Sequence, residues 1–431
     1  MKLSRIGRVS MALVVSVAMG LGMTACGGGT IGFMWVLGTQ FNQIAAFKID
    51  DFTGNLTIPP GSPFTSGGTN PVSLVVRSGG RYLYVINKGS GLVPDAKGGV
   101  TCQNSAGGGN IAEFGIGGQA VLTYQQTFTS QGCTPVWAAA DSTGGFLYVL
   151  DKYAPNSVCL PNGQPESPGQ TCNGEITVLS SDPTTGRLSL VVNQQVKDPL
   201  TGLQLTYFPV GVLPSMLTTA GSCVFTLNQD TNPQTVFPYG VGTGGQLTLT
   251  TNSTINTGAV RATSVIAHGS SVYITDAGAA NTNSPGQILP FTVGATACSL
   301  NTITGGPTQN LSPGANPVYT LVDSKGAYLY VANQSSTDTT NVNSSISGFV
   351  FNANGTFQQI AGQPNPYPIG GGPVCMVEDP SNQYIYTSNG DGTVTGKVLN
   401  APTGQLLNLS RGSTFTAVGQ ATCLAVSGNV D

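Results

Sequence analysis

The sequence predicts an all-β chain folded as a seven-bladed β-propeller of four-stranded antiparallel blades, and three observations predict it. Three short phrases each return seven times along 431 residues. The last copy of one phrase lacks a partner that only the chain's first strand can supply, so the ends must meet. Finally, apolar residues at 39% recur in short alternating runs between turns rich in the 60 glycines, a pattern of strands and tight connections. Charged residues make up only 8%, against roughly 25% in an ordinary soluble domain. No amphipathic helix is legible after residue 30.

The first 25 residues read as a targeting segment, outside the fold. Lys2, Arg5 and Arg8 precede the apolar run "VSMALVVSVAMGLG", and "MTAC" closes it with small residues before Cys26. The apolar run is short for a membrane span and has a cleavage-like end, which fits a secretory signal. The position of Cys26 resembles a bacterial lipoprotein signal, in which the cysteine is lipidated after cleavage; ordinary secretion with Cys26 unmodified is the alternative. Residues 26–31 then form a Gly-rich tether, and 32–431 the propeller. Gly27 after the cysteine, in place of Asp, directs such a lipoprotein to the outer membrane. Losing Lys2, Arg5 and Arg8 from 15 basic residues, against 18 acidic ones, leaves the mature chain at −6. That balance provides no basic stripe for nucleic acid and no cationic face for a membrane surface. Membrane contact is expected through the lipid alone, and the chain is expected to be a monomer.

The blade strand follows in order as "FMWVLG" at 33, "YLYVIN" at 82, "FLYVLD" at 146, "CVFTLN" at 223, "VYITDA" at 272, "YLYVAN" at 328 and "YIYTSN" at 384. Its aromatic and β-branched residues favour a strand. An innermost strand precedes all but the first: "NPVSLVV" at 70, "TPVWAAA" at 134, "LPSMLTT" at 213, "RATSVIA" at 261, "NPVYTLV" at 316 and "GPVCMVE" at 372. The seventh copy, "ATCLAVS" at 421, has no aromatic strand after it, so it completes the unit begun at 33. Small residues such as Ser73, Ala138, Ala139, Ala140 and Thr218 suit crowding at the axis. Hairpin turns complete each unit, as in "DDFTGNL" at 50, "DPTTGRL" at 182 and "APTGQL" at 401, where glycine supplies positive φ. Each unit has too little core to stand alone and buries its faces against its neighbours.

The units "NPVSLVVRSGGRYLYVINKG", "TPVWAAADSTGGFLYVLDK" and "NPVYTLVDSKGAYLYVANQ", with hairpins "QIAAFKIDDFTGNL" and "EITVLSSDPTTGRL", resemble the lactonase family of seven-bladed propellers. That family includes bacterial 6-phosphogluconolactonase and a fungal muconate-cyclising enzyme. The resemblance covers the mature chain and rests on scaffold residues. It implies hydrolysis of a sugar lactone at a channel mouth, where a base and donors to an oxyanion are needed. The sequence offers few such groups. His268, the only histidine, lies in a turn expected on the face opposite the long loops. The 12 basic residues of the mature chain are spread too thinly for a phosphorylated lactone, which calls for several cations.

Among candidate site residues, Arg261 is read as taking the place that Pro71, Pro135, Pro214, Pro317 and Pro373 hold at the start of other innermost strands. It is either a cation aimed at the channel mouth or a solvated loop arginine. Asn87, Asp151, Asn228, Asp276, Asn333 and Asn389 end six aromatic strands, with Gly38 in the seventh place. They form either a rim that binds a sugar or cation, or caps bonded to local backbone; recurrence in nearly every blade favours caps. Asp141, Asp323 and Asp379 read as turn residues, and Glu378 beside Asp379 is a weak acid-base pair because adjacent strand residues face opposite ways.

Eight cysteines remain after Cys26, an even number suited to an oxidising compartment. Cys159 with Cys172 closes a loop insertion, Cys102 with Cys133 is a second pair on one unit, and Cys375 with Cys423 would lock the ring. A metal site is not expected, since no C-x-x-C occurs, and neither is a cofactor. The insertions after the aromatic strands at 82 and 146 project from one face, where a rigid scaffold carries binding loops. The functional expectation is a lipid-anchored binding or scaffolding module that presents this looped face to a protein or glycan. The alternative is a lactonase-type hydrolase of a weakly charged lactone.

Overall fold

The computed structural model describes residues 29–428 except 103–107, 156, 161–163, 169–171, 198–200, 230–233, 250–253, 279–285, 295–297, 304–308, 312–314, 336–343, 353–355 and 363–365. The segment read as a targeting signal, and Cys26 with it, lies outside the described residues. The first strand starts at Thr30, inside the segment read as tether.

Seven antiparallel sheets form the ring. From the axis outward, blade 1 consists of Pro71–Val76, Tyr82–Asn87, Asn110–Ile116 and Leu122–Phe128. Blades 2 to 6 begin with inner strands Cys133–Ala140, Pro214–Ala220, Ala262–His268, Ala315–Val322 and Pro373–Glu378, each followed by its aromatic strand. The closing blade takes its inner strand, Ala421–Gly428, from the C-terminal end and pairs it with Thr30–Gly38 from the other end, Trp35 opposite Ala425. Each inner strand packs beside the next, and the seven close into a ring around the axis. In every blade except the first, the outermost strand is split into two short pieces that both pair with the third strand.

The structure shows why the aromatic and hairpin phrases recur together. Tyr84 in blade 1 donates its hydroxyl to the carbonyl of Gly186, in the hairpin of blade 2, at 2.6 Å. Tyr330 donates likewise to Gly404 at 2.7 Å, and Tyr386 to Gly54 at 2.6 Å. Trp35 donates its indole N–H to Ala120 in the blade 1 hairpin. Each phrase is thus one half of a contact between successive blades. The rings are almost wholly buried, so each bond satisfies a polar tip that would be costly to leave unpaired. At Gly54, Gly186 and Gly404, φ is +68°, +72° and +71°, and a Cβ would collide with Tyr384, Tyr82 and Tyr328 of the preceding blade. The glycine therefore meets both a turn and a packing requirement.

Four disulfides cross-link the described residues: Cys102–Cys133, Cys159–Cys172, Cys223–Cys298 and Cys375–Cys423. They mark a chain matured in an oxidising compartment. Cys375–Cys423 joins the inner strands of blade 6 and the closing blade, beside the seam, as expected. Cys223–Cys298 ties the aromatic strand of blade 3 to the outer hairpin of blade 4.

Candidate functional site

Inner strands start, and aromatic strands end, on one face of the ring. There Pro71, Pro135, Pro214, Pro317 and Pro373 lie opposite Asn87, Asp151, Asn228, Asn333 and Asn389. Proline has no N–H to give the ladder, and a bulge follows it directly in each of these blades. In blade 4 the residue opposite Asp276 is Ala262. Arg261 therefore precedes the proline place by one residue, a correction to the reading from the proline column alone. Its guanidinium donates to the carbonyls of Ala277 and Gly278 and, at 2.8 Å, to Asn316 Oδ1 at the start of the next inner strand. It staples blade 4 to blade 5.

The six strand-end residues are buried. Asn87 donates to the Ser66 carbonyl and to Asn110, Asn333 to Ser347, and Asn389 to Thr393 and Thr395. Asp276 accepts the N–H groups of Arg261 and Gly278. Most of these partners are side chains of the third strand. Bonds to local backbone, as a cap makes, run from Gly278 N to Asp276 and from Asn333 to the Val331 carbonyl. Asn228 Nδ2 finds no partner among the described residues.

Asp151 is different. It lies opposite Glu175, and both carboxyls are fully buried. Ser130 donates to Asp151 Oδ1, while Gly132 N and Thr177 Oγ1 donate to Glu175 Oε1. The other oxygen of each acid has no partner besides its fellow carboxyl. Desolvation first, and for Glu175 the neighbouring Asp151 charge, hold both above the usual carboxylate range, so the pair shares a proton at neutral pH. Glu175 escaped the sequence reading because a long insertion separates it from Asp151.

The bulges place Val72, Val136, Ser215, Thr263, Val318, Val374 and Thr422 around the mouth, each half-buried. None can titrate. One step deeper, Trp137 from blade 2 and Tyr319 from blade 5 meet across the axis, ring centroids 6.2 Å apart. Their counterparts in the other blades are Ser73, Met216, Ser264, Cys375 and Cys423, so only two blades send a ring inward. Among the described residues neither the indole N–H nor the phenol O–H finds a protein partner. Burial pushes the Tyr319 hydroxyl up to about 12, so it stays a neutral donor. The channel mouth is thus a funnel with walls of valine, serine and threonine and an aromatic floor carrying two free donors. The phrases "TPVWAAA" and "NPVYTLV" held the signal, since Trp and Tyr break a column of smaller residues. Beside the funnel, a cavity of about 410 Å³ is lined by Thr39, Gln334, Asp391, Gln420 and Thr422.

On the opposite face, His268 ends its inner strand and packs over Gly326 of the next blade. Glu378 Oε2 accepts Ser324 N at 2.7 Å, joining blades 5 and 6. Asp141, Asp323 and Asp379 accept the N–H groups of Phe146, Tyr328 and Tyr384 and close the inner turns. Among the described residues no group of three or more His, Cys, Asp or Glu could hold a metal ion.

The two insertions, expected to project from one face, are joined to each other. Val100–Thr101 pairs with Val158–Cys159 as a small sheet, and Lys97 Nζ meets Glu166 Oε1 at 3.3 Å. Tyr153, Cys159 and Cys172 form a separate apolar cluster with Leu92, Val100 and Val212. Val93 beside it is 89% exposed. With Cys102–Cys133 and Cys159–Cys172 at its base, this is one braced platform.

No protein-family profile and no curated protein matches the chain. Among solved structures it is similar to the periplasmic gluconolactonase of Pseudomonas aeruginosa, at 15% identity and a TM-score of 0.62, covering 93% of this chain and all of that one. A Bacteroides uniformis protein, provisionally designated a 6-phosphogluconolactonase, matches at 15% and 0.61 over the same shares. A Lactobacillus plantarum protein matches at 14% and 0.57, again over 93% and 100%. At such identities the likeness establishes the shared fold, a seven-bladed propeller, and leaves the chemistry to the residues themselves.

Proposed function

We propose that the chain is an extracytoplasmic, lipid-anchored binding module that presents its looped face to a protein or glycan. The observation that carries this reading is the braced platform. Two insertions from neighbouring blades share a β-pairing and an ion pair. Each is braced by a disulfide of its own, Cys102–Cys133 to the blade 2 inner strand and Cys159–Cys172 within the second insertion. A loop fixed at so many points loses little further entropy on binding, and pre-organisation of this kind favours affinity. Signal and tether would hold the propeller at the envelope through Cys26, with the outer membrane as the membrane concerned.

Lactone hydrolysis at the mouth is the other reading, and the gluconolactonase named above shares the fold. Ring opening needs a base and donors converging on one carbonyl. The mouth residues here are aliphatic or hydroxylic, Arg261 is engaged by three acceptors, and the Asp151–Glu175 pair is sealed in the blade. These features favour binding over turnover.

The test compares the purified mature protein with a variant whose residues 92–101 and 157–168 are replaced by short Gly-Ser turns. Both are immobilised and exposed to solubilised peptidoglycan and to envelope proteins, and both are assayed on γ- and δ-lactones beside Arg261→Ala. Retention of one component that the shortened variant loses, with lactone turnover at background, is the expected result. Turnover well above background that Arg261→Ala abolishes would replace this reading with the hydrolase. Equal retention by both proteins would remove the platform from it.

A further inference from the structure

Aligning the third strands of the seven blades by their pairing puts one column in register. Phe47, Phe114, Leu179, Tyr239, Phe291 and Phe349 lie opposite Met34, Leu83, Leu147, Val224, Val272 and Leu329. All six are buried apolar residues that wedge the periphery of a blade. In blade 6 the column holds Lys397, opposite Ile385. It is as buried as its siblings, at 4% exposure. Burial pulls its ammonium below the usual lysine range. Its only hydrogen bond is to Asn408 Oδ1, at 2.7 Å, and among the described residues it has no carboxylate partner. A buried cation without a counter-ion is a cost that the other six blades avoid.

Beside Lys397 lies a cavity of about 410 Å³. Pro368, Ile369 and Leu409 supply apolar wall, and Thr395 and Ser413 supply hydroxyls. Thr395 Oγ1 already accepts Gly370 N, and Ser413 Oγ accepts Leu409 N, so each hydroxyl has its hydrogen left to donate. No second cation lines the cavity.

We propose that this cavity is a binding site for a small organic carboxylate, with Lys397 as its counter-ion, the two hydroxyls as donors and the apolar wall receiving a short hydrocarbon tail. A single cation with neutral donors matches a monoanion better than a phosphate, which draws on several cations or an array of N–H groups. The site lies at the outer edge of blade 6, away from the channel and the platform, and does not depend on the function proposed above.

The test uses the full mature protein. Thermal melting and the amine resonances of ¹⁵N-lysine-labelled protein are followed while butyrate, acetate, inorganic phosphate or chloride is added at constant ionic strength. Saturable stabilisation by butyrate, stronger than by acetate, should accompany movement of one buried lysine amine resonance. Lys397→Met should lower the butyrate affinity by tenfold or more, the equivalent of one charge-assisted hydrogen bond. Thr395→Val should weaken it several-fold while the amine signal persists. If Lys397→Met does not fold, the resonance titration of the parent and of Thr395→Val decides. Equal response of parent and Lys397→Met, no movement of a lysine amine, or a shift that chloride reproduces would overturn the proposal. A preference for phosphate over both carboxylates would overturn the class of ligand.

Discussion

Gly404 shows how much one residue carries in a repeating fold. Its φ of +71°, the ring of Tyr328 and the side chain of Ile360 leave no room for a methyl group. Gly404→Ala should therefore lower stability by at least about 2 kcal/mol, through strain and displaced side chains together. Tyr330→Phe, which removes only the hydroxyl, should cost about 1–2 kcal/mol. Denaturation of the two variants side by side checks the ordering, and a costlier hydroxyl would refute the packing role of the glycine. Asp151 and Glu175 give a prediction in pH. Their folded-state affinities for protons are raised above the unfolded values, so the folded chain keeps a proton that the unfolded chain releases. Stability should then fall as pH rises past the unfolded carboxyl values near 4, with a slope of about 1.4 kcal/mol per pH unit for one retained proton. Glu175→Gln should flatten that slope between pH 5 and 7 and raise stability at pH 8. Asp151→Asn should do the same, since four sibling blades already carry Asn there. A wild-type stability independent of pH over this window would sink the shared-proton assignment.

At the scale of the element, the sequence was most legible where all blades face the same demand. The aromatic strand, the proline start and the glycine hairpin recur because each meets its counterpart on the next blade, so copying preserves both halves. The residues that give this molecule its own chemistry depart from those columns, and reading for the common phrase passes over them. Trp137, Tyr319 and Lys397 are such departures: the first two stand out within their own phrases, whereas Lys397 emerges only once strand pairing fixes its column. The off-by-one placing of Arg261 has the same origin, since Ala262 takes the proline place in blade 4 and only the pairing with Asp276 marks it. The joining of the two insertions was not legible either, because Val100–Thr101 and Val158–Cys159 are too short to announce a strand. That joining predicts that the platform is a local unit. Replacing Cys159 and Cys172 by serine opens a loop with a sequence separation of 13. This should speed amide exchange over the described parts of 97–101 and 157–168 while the midpoint of ring unfolding stays within about 1 °C, because local opening does not consume ring contacts. Exchange that rises equally across all blades would show the platform to be part of the ring's cooperative unit.

For the whole molecule, the decisive element is the closing blade, whose sheet is assembled from both ends of the chain. Without Ala421–Gly428, Thr30–Gly38 would present a bare strand edge, and the inner ring would lack one of its seven members. A propeller leaves only short, protected edges when closed, and an exposed apolar edge is a template for association. Three kinds of contact hold the seam: the pairing with Thr30–Gly38, the Thr422 hydroxyl on the Pro71 carbonyl at 3.0 Å, and Cys375–Cys423 with a sequence separation of 48. The disulfide does not enclose the N-terminal strand, so it constrains the unfolded chain but cannot by itself close the ring. Replacing both cysteines by alanine should cost about 4 kcal/mol by loop entropy yet leave a monomeric propeller. Removing residues 421–431 should instead yield oligomers or aggregate, since the missing strand is a structural partner that no cross-link replaces. Size-exclusion chromatography and melting of the two variants separate these outcomes. A soluble, monomeric truncation would mean that six blades can close without the seam, and that the terminal strand serves some purpose other than closure.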